Sequence, residues 1–457
     1  MRLAAYHIPS KVPISEVETR SYGEVTLEIA VVSPALLVEV IGHLERARER
    51  IGKRTGREIA EIIADVFVRW HERGDPFRQA AEAALPAVAR FSRPMVAHGL
   101  DLLLEGYRPE IFDILLREIG GEEALGGFAS FGSHGGRAYG PALTTHILAG
   151  NILGVGLPGI IAATILGSPS LVKTASADPL FPALWAASVA RRDPELGEAL
   201  AVLWWGGGRQ DLETVAFARA EVVIAYGSDR TIHELKGRVR GRFLGHGHRI
   251  SFGAIGREVL SNAEEVAEQA AYDASLFDQQ GCLSPHLFYV EEGGEATPRE
   301  FAGMLAAAME RWAKRLPPGS PTREEALAVR RFRTGYEAQE VAGKEVALFT
   351  SAERLDWTVI YEADPTFTPT CVQRTVLVKP VPDLSEVGGL LRSWQPYLQA
   401  AGVAVAPERI GMVAARLAQA GVARICPIGK MQAPPLTWHQ DGRNLFHDML
   451  RWVDLET

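Results

Sequence analysis

The sequence predicts an α/β protein built on parallel sheets, preceded by a helical N-terminal region. From about Tyr139 onward, short β-branched runs alternate with amphipathic segments, and strands alternating with helices imply parallel sheets covered on both faces. Upstream, from about Pro34 to Gly120, apolar residues recur at helical spacing, as in EIAEIIADVFVRWHERG (Glu58 to Gly74), with Gly and Pro breaks between runs. A chain of 457 residues, 47% apolar and 23% charged, is long enough for two or three domains with sizeable cores and is not a disordered one.

Candidate strands are Thr145 to Leu148, Ser170 to Lys173, Glu221 to Ala225, Arg249 to Ile255, His286 to Val290, Trp357 to Tyr361 and Arg374 to Lys379. Helical segments between several of them are Gly159 to Leu166, Leu180 to Ala190, Thr231 to Arg240, Ala263 to Phe277 and Arg299 to Lys314. The glycine-rich run Gly126 to Gly140 marks the change of pattern. A boundary is expected near Ile255, with Asn262 as N-cap of the next helix.

The net charge of −8 and pI near 5.9 argue against nucleic acid or an anionic membrane as partner, because phosphate binding relies on clustered Lys and Arg. Two basic clusters, Arg46 to Arg57 and Lys236 to Arg242, lie in or beside helical segments and read as solvated faces. Cys282, Cys371 and Cys426 show neither paired metal spacing nor a disulfide framework, and a reducing cytoplasm is the expected location. The N-terminus MRLAAYHIPSKVPISEVETR lacks the features of a secretory signal. The apolar stretch Leu143 to Leu166 is interrupted by His146, Asn151, Pro158 and several glycines, so no membrane span is expected.

Cys282 lies in DQQGCLSP, between a helical run and an apolar strand. A cysteine beside a glycine at such a junction can be approached closely by a carbonyl, and the backbone N–H of the turn can face its oxygen, which suits acyl transfer. The alternative is a small buried apolar thiol. GNILGVGLPG (Gly150 to Gly159) carries Gly154, Gly156 and Gly159 in dinucleotide-fingerprint spacing, with Asp178 about twenty residues on. Asn151 within it suits another task, since a side-chain amide N–H can hold an oxyanion. Equally, the run reads as a tight strand-to-helix turn in which the Asn bonds local backbone.

Lys173, in SLVKTAS, ends a buried strand, where it can bind ribose hydroxyls or phosphate or simply be solvated. At Ser176 a small hydroxyl leaves room for a 2′-phosphate, whereas an acidic side chain favours a free 2′-hydroxyl, which tilts the cofactor toward NADPH. Gly227 and Ser228, in VVIAYGSDRTIHEL, open a helix whose unpaired N–H groups can receive a pyrophosphate, or are an ordinary helix start. His246 and His248 lack a third metal ligand and are expected on a surface turn. Cys371 and Cys426 are expected to pack as small apolar groups. No Gly-x-Ser-x-Gly turn accompanies a strand-to-helix junction, which disfavours a serine hydrolase.

In order, Asn151, Lys173, Gly227 with Ser228, and Cys282 resemble the aldehyde dehydrogenase superfamily, in which an Asn, a Lys at a strand end, a Gly-Ser helix start and a nucleophilic Cys follow in the same succession. FDQQGCLSPHLFYVE and RICPIGKMQAPPLTWHQDGRN are similar, more narrowly, to the acyl-CoA reductase family that includes the fatty acid reductase component of bacterial luminescence. The resemblance runs from about Tyr139 to the C-terminus. It implies an aldehyde dehydrogenase-like fold: residues 1–255 as helical region plus dinucleotide-binding domain, 256–430 as the catalytic cysteine domain, and 431–457 as a segment packing on the cofactor domain or a subunit interface.

Two departures qualify the resemblance. Hydrolytic aldehyde dehydrogenases carry a water-activating Glu upstream of the cysteine, whereas Gly245 to Gly256 here contains no carboxylate, which favours thioester chemistry. A second family Glu, which holds the nicotinamide ribose, lacks an evident counterpart, and Gln373 is the substitute considered. The implied activity is NADPH-dependent reduction of a fatty acyl-CoA to the aldehyde, with NADH as the alternative cofactor. Cys282 would carry the acyl group, Asn151 would hold the oxyanion, and Lys173, Ser176, Gly227 and Ser228 would address the cofactor. A homo-oligomer, and an acyl-carrier substrate or acyl-donating partner protein, are further implications. The rival readings are oxidation of an aldehyde to a free acid and a non-catalytic nucleotide-binding scaffold.

Overall fold

The computed structural model describes residues 1–118, 122–131, 134–352 and 354–456. Positions 119 and 120 of the predicted helical stretch, and 132 and 133 of the glycine-rich run, lie outside the described residues. The first strands, β1 (Arg2–Ala4), β2 (Val17–Tyr22) and β3 (Val25–Ala30), form a small sheet in the order β1-β3-β2. Sequence reading missed it, since β2 is VETRSY, mostly solvent-exposed, and shows no alternation of apolar with polar residues. Helices then run over Pro34–Ile51, Gly56–His71, Pro76–Val88, Arg93–Glu105 and Pro109–Glu118. Ser33, Thr55, Asp75 and Ser92 cap the first four, each accepting a first-turn backbone N–H.

After β4 (Ala129–Phe131) and β5 (His134–Tyr139) comes a five-stranded, all-parallel sheet of β6 (Thr144–Ile147), β7 (Ser170–Thr174), β8 (Leu200–Trp204), β9 (Val222–Tyr226) and β10 (Arg242–His246). Its order is β10-β9-β6-β7-β8, so the winding reverses at β6, the point where open parallel sheets leave a crevice beyond the strand ends. The helix predicted over Thr231 to Arg240 is displaced to Asp229–Lys236, and β10 follows it directly.

The second sheet contains β11 (Ile250–Ile255), β12 (Pro285–Glu291), β13 (Val346–Thr350), β14 (Thr358–Glu362), β15 (Thr375–Val381), β16 (Leu398–Ala404) and β17 (Arg424–Pro427), in the order β13-β14-β15-β12-β11-β16-β17. Only β13 is antiparallel to its neighbour. Every residue of β11 and β12 is buried, as parallel strands covered on both faces must be. Helices Ala263–Ser275 and Pro298–Arg315 cover one face; Arg323–Val341 and Pro407–Ala420 cover the other. Asn262 does not cap the first of these through its side chain; a 3-10 turn, Arg257–Asn262, leads into the helix instead. The last strand, β18 (Arg451–Leu455), returns to pair antiparallel with β5, and Arg242 donates to the Leu450 carbonyl at 2.5 Å.

The basic clusters are largely paired: Arg54 with Asp193 and Glu195, Arg57 with Asp113, Arg238 with Glu213 and Arg242 with Glu221. Among the described residues, no helix is long and apolar enough to cross a membrane.

Glu291, at the end of β12, fastens the second sheet. It accepts from the backbone of Arg257 at 2.9 Å and Leu384 at 3.2 Å, and from both terminal nitrogens of Arg409 at 2.6 and 2.8 Å. Burial opposes its charge, yet the guanidinium groups of Arg409 and Arg257 hold its carboxyl far below the usual range. A carboxyl lowered on folding contributes stability above its unfolded pKa, about 4.3, and that contribution is lost as pH falls. Replacing Glu291 by Gln is therefore expected to lower unfolding stability in urea by about 3 kcal/mol near neutral pH, with the difference shrinking on acidification.

Candidate active site

The predicted helix ending at Phe277 stops at Ser275, because the chain then turns through left-handed backbone: Phe277, Asp278 and Gln279 have φ of 49°, 51° and 62°. Non-glycine residues hold this conformation only where surrounding bonds impose it. Gln279 supplies them, donating from Nε2 to Pro285 O (2.7 Å) and Thr375 O (2.9 Å) while Oε1 accepts from Thr375 N (2.7 Å). The Asp278 carboxylate accepts from Arg374 Nε at 2.9 Å and Gly319 N at 3.0 Å. Gln280, Gly281 and Cys282 then turn into β12. The Cys282 carbonyl accepts from Ser251 Oγ on β11 at 2.8 Å, and its side chain is half-buried.

Asn151 enters from the connection after β6. Its Nδ2 donates to the Gln280 carbonyl at 2.7 Å across 129 residues of sequence, so one amide hydrogen anchors the cysteine loop and the second is left for another acceptor. Cys282 and Gly281 head a cavity of about 140 Å³ whose walls include Leu102, Leu103, Tyr107, Ile152, Leu283 and Trp438. Gly154 lines it too, at φ +73° with Leu103 within 2.8 Å of where a Cβ would stand. The glycine run thus shapes this cavity wall. Asp178 is a buried helix cap, accepting from Phe181 N at 3.0 Å, with burial pushing its carboxyl up to about 6.

Lys173 lies on β7, half-buried, and burial lowers its pKa; no hydrogen bond or salt bridge ties its ammonium to another described residue. Ser176, just beyond β7, is exposed and accepts from Trp204 Nε1 at 3.3 Å, and the Arg20 guanidinium lies 3.6 Å from the centre of that indole. Ser228 caps the Asp229–Lys236 helix, accepting from Thr231 N at 3.2 Å, with Gly227 before it. These four residues line the carboxyl ends of β7 and β9, beside the reversal in strand order. An unanchored ammonium, an exposed hydroxyl and a helix N-terminus form a donor set that fits the ribose and phosphates of a nicotinamide dinucleotide. Gln373 is elsewhere: it lines a separate cavity with Asp278, Gly319 and Arg354, and its Nε2 is buried with no hydrogen-bond partner among the described residues.

Residues 53–452 match the family described as acyl-CoA reductase (LuxC). The chain belongs to that family. A long-chain acyl-protein thioester reductase from Aliivibrio fischeri is 25% identical over 342 residues, 72% of this chain and 68% of the relative. Among solved structures, aldehyde dehydrogenase 21 from Physcomitrella patens, in complex with the reaction product succinate, superposes with a TM-score of 0.77 at 14% identity, over 99% of this chain and 98% of that one. NADP-dependent glyceraldehyde-3-phosphate dehydrogenase from Bacillus halodurans, complexed with NADP, gives 0.73 at 14% identity over 97% and 96%. The fold is that of the aldehyde dehydrogenases.

In this LuxC-family chain, sequence reading missed a cluster beside the cysteine. His248 is exposed, but His246 is not on a surface turn: it ends β10, buried, with its ring stacked on Tyr226 at 4.6 Å between centroids. Its Nδ1 lies 2.8 Å from Asp441 Oδ2, and Arg249 Nε donates to Asp441 Oδ1 at 3.0 Å. A carboxylate thus does reach the segment Gly245 to Gly256, from the C-terminal segment 195 residues from His246, a separation no local motif can signal. Burial opposes the Asp441 charge, but His246 and Arg249 hold it below the usual carboxylate range. Cys426 stays half-buried in a small apolar cluster with Leu283 and Met431.

Burial, then the Asp441 charge, pushes the Cys282 thiol up to about 11, against a smaller opposing effect of Arg249. The raised value keeps the resting sulfur protonated at neutral pH. Alkylation of Cys282 by iodoacetamide, followed by peptide mass spectrometry in the free protein, is expected to be slow near neutral pH and to keep rising into the strongly alkaline range. A plateau near pH 7 would contradict this.

Proposed function

We propose that the protein reduces an acyl thioester to the corresponding aldehyde, with NADPH as reductant, through an acyl group held on Cys282. The observation that carries this reading is the Asn151 side chain bonded to the cysteine loop at the head of an apolar cavity. The name of the Aliivibrio relative and the family description both support a thioester substrate.

The Cys282 sulfur, once deprotonated, attacks the thioester carbonyl. The second Asn151 N–H and the Cys282 backbone N–H stabilise the resulting oxyanion, each donor contributing about 3 kcal/mol. Collapse expels the donor thiolate and leaves an acyl-cysteine. A reduced nicotinamide held by Lys173, Ser176, Gly227 and Ser228 would supply the hydride that brings an acyl group to the aldehyde level. Cys282 then departs as thiolate and the aldehyde is free.

The walls of the cavity suit an alkyl chain, each buried methylene contributing about 0.8 kcal/mol. Recognition therefore rests on the acyl part, and the carrier thiol, coenzyme A or a carrier protein, remains outside. Lys173 and Ser176 would hold the adenosine ribose and its 2′-phosphate; Gly227 and Ser228 would hold the pyrophosphate. A homo-oligomer, an acyl-donating partner and a cytoplasmic site of action belong to the same proposal.

Mixing the protein with a long-chain acyl-CoA in the absence of cofactor is expected to add one acyl mass at Cys282, and adding NADPH is expected to discharge it as aldehyde. Asn151→Ala is expected to lower kcat at least 100-fold with little change in KM. Cys282→Ala retaining thioester-dependent NADPH oxidation, or oxidation of an aldehyde to free acid at full rate without coenzyme A, would overturn the reading.

A further inference from the structure

The half-buried thiol of Cys282 is protonated at rest, and acylation needs the thiolate. Something must take that proton. The residues closest to being built for it are those at the seam between the two sheets, where β9 and β10 end and β11 begins.

His246 is placed by contacts on several sides. Asp441, a carboxylate, can only accept, so the Nδ1 facing its Oδ2 at 2.8 Å carries the ring hydrogen and Nε2 presents a lone pair. That Nε2 is buried and has no hydrogen-bond partner among the described residues, although His246 is only 8% exposed. Such an atom is costly unless it has a use. Tyr226, the register partner of His246 on β9, covers the ring with planes 16° apart, and its hydroxyl is likewise buried without a partner.

The cysteine is joined to the same place. Gln440, next to Asp441 in sequence, lines the Cys282 cavity, and the Cys282 carbonyl is held by Ser251 of β11, two residues after Arg249. Asp441, Arg249 and Tyr226 each interact electrostatically with the thiol. The groups against His246 are therefore Asp441 from the C-terminal segment and Tyr226 from β9, with Arg249 on the far oxygen of Asp441; Cys282 is linked to this cluster through Asp441, Arg249 and Tyr226, not by a hydrogen bond to the imidazole.

We propose that His246, oriented by Asp441, is the proton acceptor for the Cys282 thiol during acylation. As the sulfur bonds to the acyl carbon, its S–H bond breaks and the proton passes to Nε2. As the carbon–sulfur bond of the donor breaks, that proton passes from the imidazolium to the departing thiolate, and the donor leaves as a thiol. After reduction, Cys282 departs as thiolate and takes a proton from solvent, which accounts for the single proton consumed per aldehyde formed. His246 thus hands on the proton it takes and ends as it began, and Asp441 acts through it as a positioning residue.

This inference rests on the reading that Cys282 carries the acyl group, and the test separates the two. Thiol release from acyl-CoA is followed in single turnover without cofactor, across pH, in the parent and in His246→Asn, His246→Gln and Asp441→Asn, with NADPH binding by fluorescence checking that each variant is folded. The parent is expected to acylate near its maximal rate at neutral pH. The His246 variants are expected to be about 100-fold slower there and to recover as pH rises toward about 10, where solvent makes the thiolate. Asp441→Asn is expected to fall between them and the parent. His246 variants acylating within threefold of the parent at neutral pH would overturn the proposal. So would a parent rate that climbs steadily with pH to about 10, a result that needs no variant to fold. Thiol release persisting in Cys282→Ser without any mass added at position 282 would instead sink the acyl-cysteine reading itself.

Discussion

The side-chain amide of Gln279 holds the cysteine where it is. By bridging the ends of β12 and β15 with three hydrogen bonds of 2.7 to 2.9 Å, it fixes a backbone reversal that local propensity opposes. Each left-handed non-glycine residue costs on the order of 1 kcal/mol, and three occur in succession. The buried Asp278–Arg374 pair holds the same turn from its other side. Without this reversal the preceding helix would run on, and neither Gln280 O nor Cys282 would face the seam between the sheets.

The seam has a consequence for how the site comes into being. Asn151 lies on the connection after β6 of the five-stranded sheet and Cys282 in the turn before β12 of the seven-stranded one, while Asp441 and the cavity residues Gln440 and Trp438 come from the C-terminal segment. That segment is itself held by Arg242, by β5, and by Phe446 and Met449 packed in the N-terminal core. No one part of the chain contains the site. Local disturbance of any of the three should therefore loosen the geometry at the sulfur before it unfolds the protein.

Much of the architecture was legible because hydrophobic periodicity is local. Each strand and helix read from the sequence overlaps one in the structure, and the alternation of the two gives the parallel sheets. The failures have physical causes. LAVLW of β8 is a short continuous apolar run, which periodicity cannot assign, and LQAAGVA of β16 is too rich in Ala and Gly to signal a strand. The site divided along the same line. Asn151 and Cys282 stood out by residue type and order, whereas His246 looked like part of a polar turn because its partner Asp441 is remote in sequence. The glycine run with Asp178 matched a fingerprint by spacing alone; in space its glycine serves a cavity wall and its carboxylate a helix cap.

The Asp441 position also changes the argument about water. Lack of a carboxylate between Gly245 and Gly256 first suggested that no base is present to hydrolyse an acyl-enzyme. In space a carboxylate is there, but both its oxygens are engaged, one by His246 and one by Arg249, so it orients rather than abstracts. An imidazole able to deprotonate a thiol can equally activate water. On the proposed acyl-cysteine reading, what separates transfer to a reductant from hydrolysis is access: the leucines, prolines and tryptophan around Cys282 suit an alkyl chain better than solvent beside the sulfur. On that reading, the apolar contacts that would select the acyl group would also exclude the competing nucleophile, so selectivity and protection of the thioester would be one property of the cavity wall.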